Sequence, residues 1–284
     1  MLFSLKLENS SGNIVNLHDE INYSVVEITG LNPPPASLFL GKSPNRKGAK
    51  KNGSTLDERN LVIRIKVHGD VEYNRNALYS WIDTESELKI YYQNGAKNVY
   101  CEGTVTDCDF SLFTDSQIIS VAITCPDSYL KELEAIITEI SALLKQFTIP
   151  FSIDAGGVPF STIRENNATN IFNSGVETGV KITIRCNGTI ENLSIFDAND
   201  TTRIFTIKTT LLKDWIVIVD TESSPKTVKV YKPDGTVENL MKYLAASPTW
   251  FTLKKGNNLF GYLADSGIAD AEITFAYENK HLGV

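Results

Sequence analysis

Val180, Ile182, Ile184 and Cys186 occupy every second position of VKITIRC (180–186). A period of two puts all four on one side of an extended chain and suits a half-buried strand, not a helix. Comparable short runs follow at roughly ten-residue intervals: LSIF (193–196), RIFTIK (203–208), WIVIVD (215–220), KTVKVY (226–231), WFTL (250–253), LFGYLA (259–264) and AEITFAY (271–277). WIVIVD is apolar on both faces, as a central strand must be. Turn-forming DAND (197–200), KPDG (232–235) and KKGNN (254–258) separate the runs. Residues 148–284 are therefore expected to form an antiparallel β-sandwich or jelly roll.

The first half carries the same period less regularly. Leu2–Leu7 alternates, Tyr23–Thr29 is rich in strand formers, and LVIRIKVHG (61–69) sets Leu61, Ile63, Ile65 and Val67 against Arg64, Lys66 and His68. LKIYY and KNVYCEG flank Asn94-Gly95, which predicts a hairpin, and Gln117–Cys125 alternates again. A short helix is expected at about Asn74–Ile82, capped by Asn74 and burying Leu78, Trp81 and Ile82. In PDSYLKELEAIITEISALLKQF (126–147) the period changes. Leu130, Leu133, Ile137, Ile140, Leu144 and Phe147 recur at helical spacing, with Asp127 or Ser128 as cap. The expected organisation is mainly β: a β-rich α+β domain over 1–128, a linking helix over 129–147 and the sandwich over 148–284.

A chain of 284 residues can bury two cores. No apolar run approaches the about 20 residues of a membrane-spanning helix, and MLFSLKLENSSGN reads as a strand, not a leader. Cys101, Cys108, Cys125 and Cys186 form no CxxC and have no histidine at ligand spacing, so zinc is disfavoured. Cys125 and Cys186, at the ends of expected strands, are expected as small buried thiols, and a reducing site of synthesis fits best.

One stretch contradicts the overall charge of −7: GKSPNRKGAKKNGS (41–54) holds Lys42, Arg46, Lys47, Lys50 and Lys51 and no acid. Within it, Gly48 and Gly53 have the spacing of a phosphate-binding loop, but Ser54 stands where the lysine must be and a strand follows in place of a helix. Nucleotide binding is rejected. The stretch lacks aromatics for stacking on bases and the chain is acidic, which disfavours a dedicated nucleic-acid binder. A solvated loop, or one that docks on a neighbouring subunit or lines a pore, is expected.

Catalysis has little to work with. His18, His68 and His281 are the only histidines, and no GxSxG or HExxH occurs. Asp83, Glu85 and Glu87 read as a solvated turn, and DANDTT (197–202) lacks the glycine and distal glutamate of a calcium loop. No catalytic residue, metal site or cofactor is expected. Tyr243, Trp250 and Tyr262 could offer an aromatic platform to a sugar, which would make the chain a carbohydrate-binding adhesin module. Core packing is the competing use of those rings.

NSGVETGVKITI (173–184), LLKDWIVIVDT (211–221), VKVYKPDGTVENL (228–240), SPTWFTLKKGNNLFGYLA (247–264) and the closing YENKHLGV resemble, in this order, the C-terminal half of phage distal tail proteins. In the first half, the Gly/basic loop precedes Arg64-Ile65-Lys66-Val67, which follows Arg59, and a later strand ends in CPDSY (125–129). Departures are Ser128 for a frequent proline, Asp214 without a preceding glycine, and the long helix after Tyr129. The resemblance implies a virion protein, made in the bacterial cytoplasm and placed in the tail of a phage or phage-like (prophage) particle. It also implies a homohexameric ring with a galectin-like second domain. Its implied partners are the tail tube protein and the baseplate and receptor-binding proteins, with DNA passing through the ring and no membrane insertion. The basic residues 42, 46, 47, 50 and 51 would then face a subunit boundary or the lumen.

Overall fold

The computed structural model describes residues 3–42, 47–110, 117–140 and 168–284. It divides into two compact units, Met1–Glu134 with Lys280–Val284, and Ala135–Asn279. The chain passes from one to the other after Glu134 and returns after Asn279, so the second unit is one continuous insertion in the first.

The first unit is built on β1 (Ser4–Asn9), β2 (Ile14–Asn16), β3 (Tyr23–Thr29), β4 (Ala36–Gly41), β5 (Lys50–Leu56), β6 (Arg59–Val67), α1 (Val71–Tyr79), β7 (Glu87–Gln93), β8 (Asn98–Phe110), β9 (Ile118–Cys125) and β10 (Leu130–Glu132). Strands run in the antiparallel order β2-β1-β7-β8-β9-β6-β3, and β10 adds to the start of β8. Alternation decides the inner face: Leu61, Ile63 and Ile65 of β6 meet Ile119, Val121 and Ile123 of β9 in register, with Leu5, Leu7, Ile90 and Leu78 completing the core. The helix begins earlier than Asn74. Asp70 is its cap, accepting from the Tyr73 amide at 3.1 Å, while Asn74 is buried within it. Asn74 Nδ2 donates to His68 O at 2.8 Å and its carbonyl accepts from the Tyr23 hydroxyl at 2.8 Å, so a tertiary role displaces the capping one.

The second unit comprises β11 (Ile136–Glu139), β12 (Thr169–Asn173), β13 (Lys181–Cys186), β14 (Ile190–Glu191), β15 (Ser194–Asp197), β16 (Asp200–Thr206), β17 (Thr210–Leu211), β18 (Ile216–Asp220), β19 (Thr227–Tyr231), β20 (Val237–Asn239), β21 (Gly256–Leu263) and β22 (Ala271–Tyr277). One sheet has the order β11-β22-β13-β18-β19-β20, a second β12-β21-β15-β16, and β14 pairs with β17. Ile182, Ile184, Val217, Val219 and Phe275 from the first share a core with Ile171, Ile195, Phe205 and Phe260 from the second. WIVIVD supplies β18, which lies between β13 and β19 as its composition predicts. Residues 250–253 form no sheet strand. Leu253 makes a single bridge to Thr178, and Phe251 turns into the core, 1% exposed.

The largest correction concerns 126–147. Its described part is not helical: Leu130–Glu132 and Ile136–Glu139 are strands, and residues 141–147 lie outside the described residues. β11 pairs with β22 from Ile136↔Tyr277 to Glu139↔Thr274. β10 pairs with the last strand, β23 (Lys280–His281), through Leu130↔His281 and Lys131↔Lys280. The helical stripe is not obeyed, because Ile137 is 71% exposed where a helix would bury it. The β22 and β23 partners lie far away in sequence, from Ile136↔Tyr277 to Leu130↔His281, so no local pattern announces them, and β-branched Ile136, Ile137 and Thr138 suit a strand once a partner is present. The region therefore supplies strands to both units in place of a linking helix.

Candidate functional site

The basic stretch lies beside a structure that starts at Gly30. After β3, Pro33, Pro34 and Pro35 lack amide donors and cannot extend a ladder. Gly30 makes the turn at φ +89°, and a Cβ there would sit 2.1 Å from the Asn60 carbonyl oxygen. The chain then leaves the sheet as β4 and returns as β5, paired from Ala36↔Leu56 to Gly41↔Lys50 with a bulge after Phe39. Among the described residues neither strand pairs with a third. Gly41 and Lys50–Ser54 of the expected loop thus belong to a two-stranded ribbon, a form that is marginally stable alone.

Both faces of the ribbon are exposed. Leu38, Phe39 and Leu40 are each more than half accessible, at 55%, 57% and 55%. Lys42, Lys47, Lys50 and Lys51 are also exposed, with Lys50 and Lys51 on β5 and the other two flanking its tip. Arg46 lies outside the described residues. The ribbon thus joins an apolar strand to a cationic one.

Its root is held by Arg59, the first residue of β6, only 1% exposed. The guanidinium donates all five of its N–H groups to backbone carbonyls. Nη1 reaches Gly30 O and, at 2.9 Å, Asn32 O; Nη2 reaches Ser128 O at 2.8 Å and Leu282 O at 2.7 Å; Nε reaches Ser128 O at 3.2 Å. Burial lowers the proton affinity of the group, opposed by the Cys101 and Cys125 thiols and Asp127 nearby, and a guanidinium stays charged throughout. Ser128 Oγ donates to Asp57 O at 2.6 Å, and the Asp57 amide closes the ribbon onto Pro35 O at 3.0 Å. Ser128 thus serves the root with both its carbonyl and its hydroxyl. The expectations above left Arg59 without a role. Its signal was parity, since it shares the inward register of Leu61, Ile63, Ile65 and Val67.

The aromatic trio is not brought together as an open platform. Tyr262 is a core residue, 8% exposed, on the inner face of β21. Trp250 packs on Phe205 at 5.4 Å with Lys226 Nζ 5.7 Å from its ring centre, and Tyr243 is half-buried beneath Lys242. Each histidine has a local partner: His18 stacks on Phe3 at 4.3 Å, His68 bonds Ser24 Oγ at 2.7 Å, and His281 meets Glu132 at 2.7 Å. Among the described residues no group of three or more His, Cys, Asp or Glu could hold a metal. An open cleft of about 470 Å³ in the first unit is lined by Glu8, Glu87, Lys89, Glu102 and Asp127 among others. It contains no histidine, cysteine or other nucleophile set against a base.

Residues 173–281 match the family described as siphovirus-type tail component, C-terminal domain. The match covers 109 of the 284 residues. Over its whole length the chain shares its fold with the Dit protein of phage SPP1, described as a paradigm of the hub adsorption apparatus in phages infecting Gram-positive hosts. The two agree at a TM-score of 0.69 over 99% of each chain, with 13% identity. A chain of the phage P2 baseplate in its activated, calcium-bound conformation matches over 100% of both chains at a TM-score of 0.51 and 11% identity. No curated protein matches the chain by sequence.

Proposed function

We propose that this chain is a distal tail protein: a non-enzymatic subunit of the phage tail tip that closes into a homohexameric ring between the tail tube and the baseplate with its receptor-binding proteins. The tail component domain at 173–281 carries the reading, and the fold shared with a Dit protein supports it over the full chain. In this reading the first unit makes the ring and the second projects from it towards the adsorption apparatus. The β4–β5 ribbon is the contact element. Its exposed Leu38, Phe39 and Leu40 gain a cover, and Lys42, Arg46, Lys47, Lys50 and Lys51 meet acidic groups of the next subunit or DNA in the lumen. A head-to-tail ring places a projecting element of one subunit against a different patch of its neighbour, as such a ribbon requires.

Light scattering and electron microscopy at high protein concentration test the proposal. Rings six times the mass of the 31.4 kDa protomer are expected. The triple variant Lys47→Glu, Lys50→Glu, Lys51→Glu should lose assembly while its unfolding free energy stays within about 0.5 kcal/mol of wild type, as for surface changes. Rings formed by the triple variant as readily as by the parent would remove the ribbon's cations from the interface. A chain that stays monomeric at every concentration, with and without tail tube protein, would count against the ring itself.

A further inference from the structure

Five consecutive residues of the first unit arrive from the far side of the insertion, and each is anchored. Lys280 is 8% exposed, with Nζ 5.3 Å from the Tyr129 ring centre. His281 Nε2 lies 2.7 Å from Glu132 Oε1. Leu282 offers its carbonyl to Arg59 at 2.7 Å. Gly283 lies so close that a Cβ on it would come within 2.9 Å of Pro33 Cδ and 3.1 Å of Leu31 O. The Val284 amide donates to Leu31 O at 3.3 Å. The last three of these contacts converge on one place, residues 30–33 and Arg59, from which β4 departs.

We infer that the segment Lys280–Val284, acting through Arg59, sets the pose of the β4–β5 ribbon, so that presentation of the ribbon to a second copy of the chain depends on this segment being docked. The physical basis lies in the choice of acceptors. Among the described residues Arg59 has no bonded carboxylate, and its five donors are shared among carbonyls of the 30–33 turn, the 125–130 turn and the Lys280–Val284 segment. Withdrawing Leu282 leaves one N–H of a buried cation without a partner, a costly state. The guanidinium relieves it by moving towards water, and its bonds to Gly30 and Asn32 go with it. Positioning of the ribbon is then a property of residues more than 200 positions away in sequence. The assembly part of the inference rests on the ring reading above, whereas the positioning part does not.

Amide hydrogen exchange on the full protein separates the two. Three variants are compared with the parent: a chain ending at Asn279, Gly283→Val, and Arg59→Lys. All should accelerate exchange about tenfold at Asp57 and the β4–β5 ladder, which report local opening of the root, and leave Leu61–Val67 and Ile119–Ile123 within about twofold. Gly283→Val leaves β23 and Arg59 in place, so it keeps the test valid if the shortened chain or Arg59→Lys folds poorly. Unchanged exchange at the root in Gly283→Val and the shortened chain would overturn the inference. So would uniform acceleration across the first unit, because the segment would then be a general staple. Self-association is read in parallel, and a roughly tenfold loss alongside root opening is expected. Root opening with undiminished self-association would overturn the link to assembly. If the parent itself never associates, the ring reading fails, and exchange alone decides the positioning role.

Discussion

At the scale of single residues, Arg59 and Gly30 do most to place the ribbon, and they differ in how visible they are. Gly30 sits before LNPPP in a sequence that plainly turns, but the need for glycine comes from the Asn60 carbonyl, which only the folded sheet brings near. Gly30→Ala should cost roughly 2–4 kcal/mol, combining a left-handed backbone with a 2.1 Å clash. Gly48 offers the control. It has φ +87° with nothing within 4 Å of an added Cβ, so Ala there should cost only the backbone part, about 1–2 kcal/mol. Denaturant midpoints at constant slope measure both, and equal costs would show that the clash is relieved by a shift of the sheet. Arg59 was legible only as a charge on an inward register. Its reason for being buried, four carbonyls from three separate segments, is long-range. Tyr262 failed in the other direction, because composition marks an aromatic without saying which side of β21 it faces.

At the scale of elements, alternation proved the dependable signal. β6, β9, β13, β18 and β22 lie where period-two runs predicted them, since each buries one face and must repeat every second residue to do so. The two helical readings were weaker for different reasons. For α1 the type was right and the start was wrong. Asn74 has the side chain of a cap, but Asp70 holds the Tyr73 amide. Asp70→Ala should therefore destabilise by about 1 kcal/mol, read as a shift in urea midpoint, and an unchanged midpoint would mean that the helix end needs no side-chain cap. For 126–140, spacing of three and four coincided with two short strands joined by a turn, and the β22 and β23 partners decided between them. The basic stretch was legible in composition, and its folding into strands was not, because a ribbon with both faces exposed shows no burial period.

For the molecule as a whole, each unit has its own core, and in sequence the second interrupts the first. Phe275 tests this organisation. It packs on Phe260 at 5.1 Å, which in turn meets Phe251 at 5.1 Å, all within the second unit's core. Phe275→Ala should cost about 3–5 kcal/mol there, seen as faster exchange at β13 and β18 amides. Amides of β6 and β9, in a core that lacks Phe275, should change far less, and equal loss in both would mean that the two cores melt as one. Two β-rich cores, the central place of WIVIVD, the isolated basic charge and the order of motifs resembling a tail protein could all be read from the residues in line, because burial period, charge and turn chemistry are local. Division of the chain after Glu134 and Asn279, the strands within 126–140 and the convergence of Gly30, Arg59, Ser128 and Leu282 needed the fold. They rest on pairings between residues far apart in sequence, and such pairings leave no period in either partner alone.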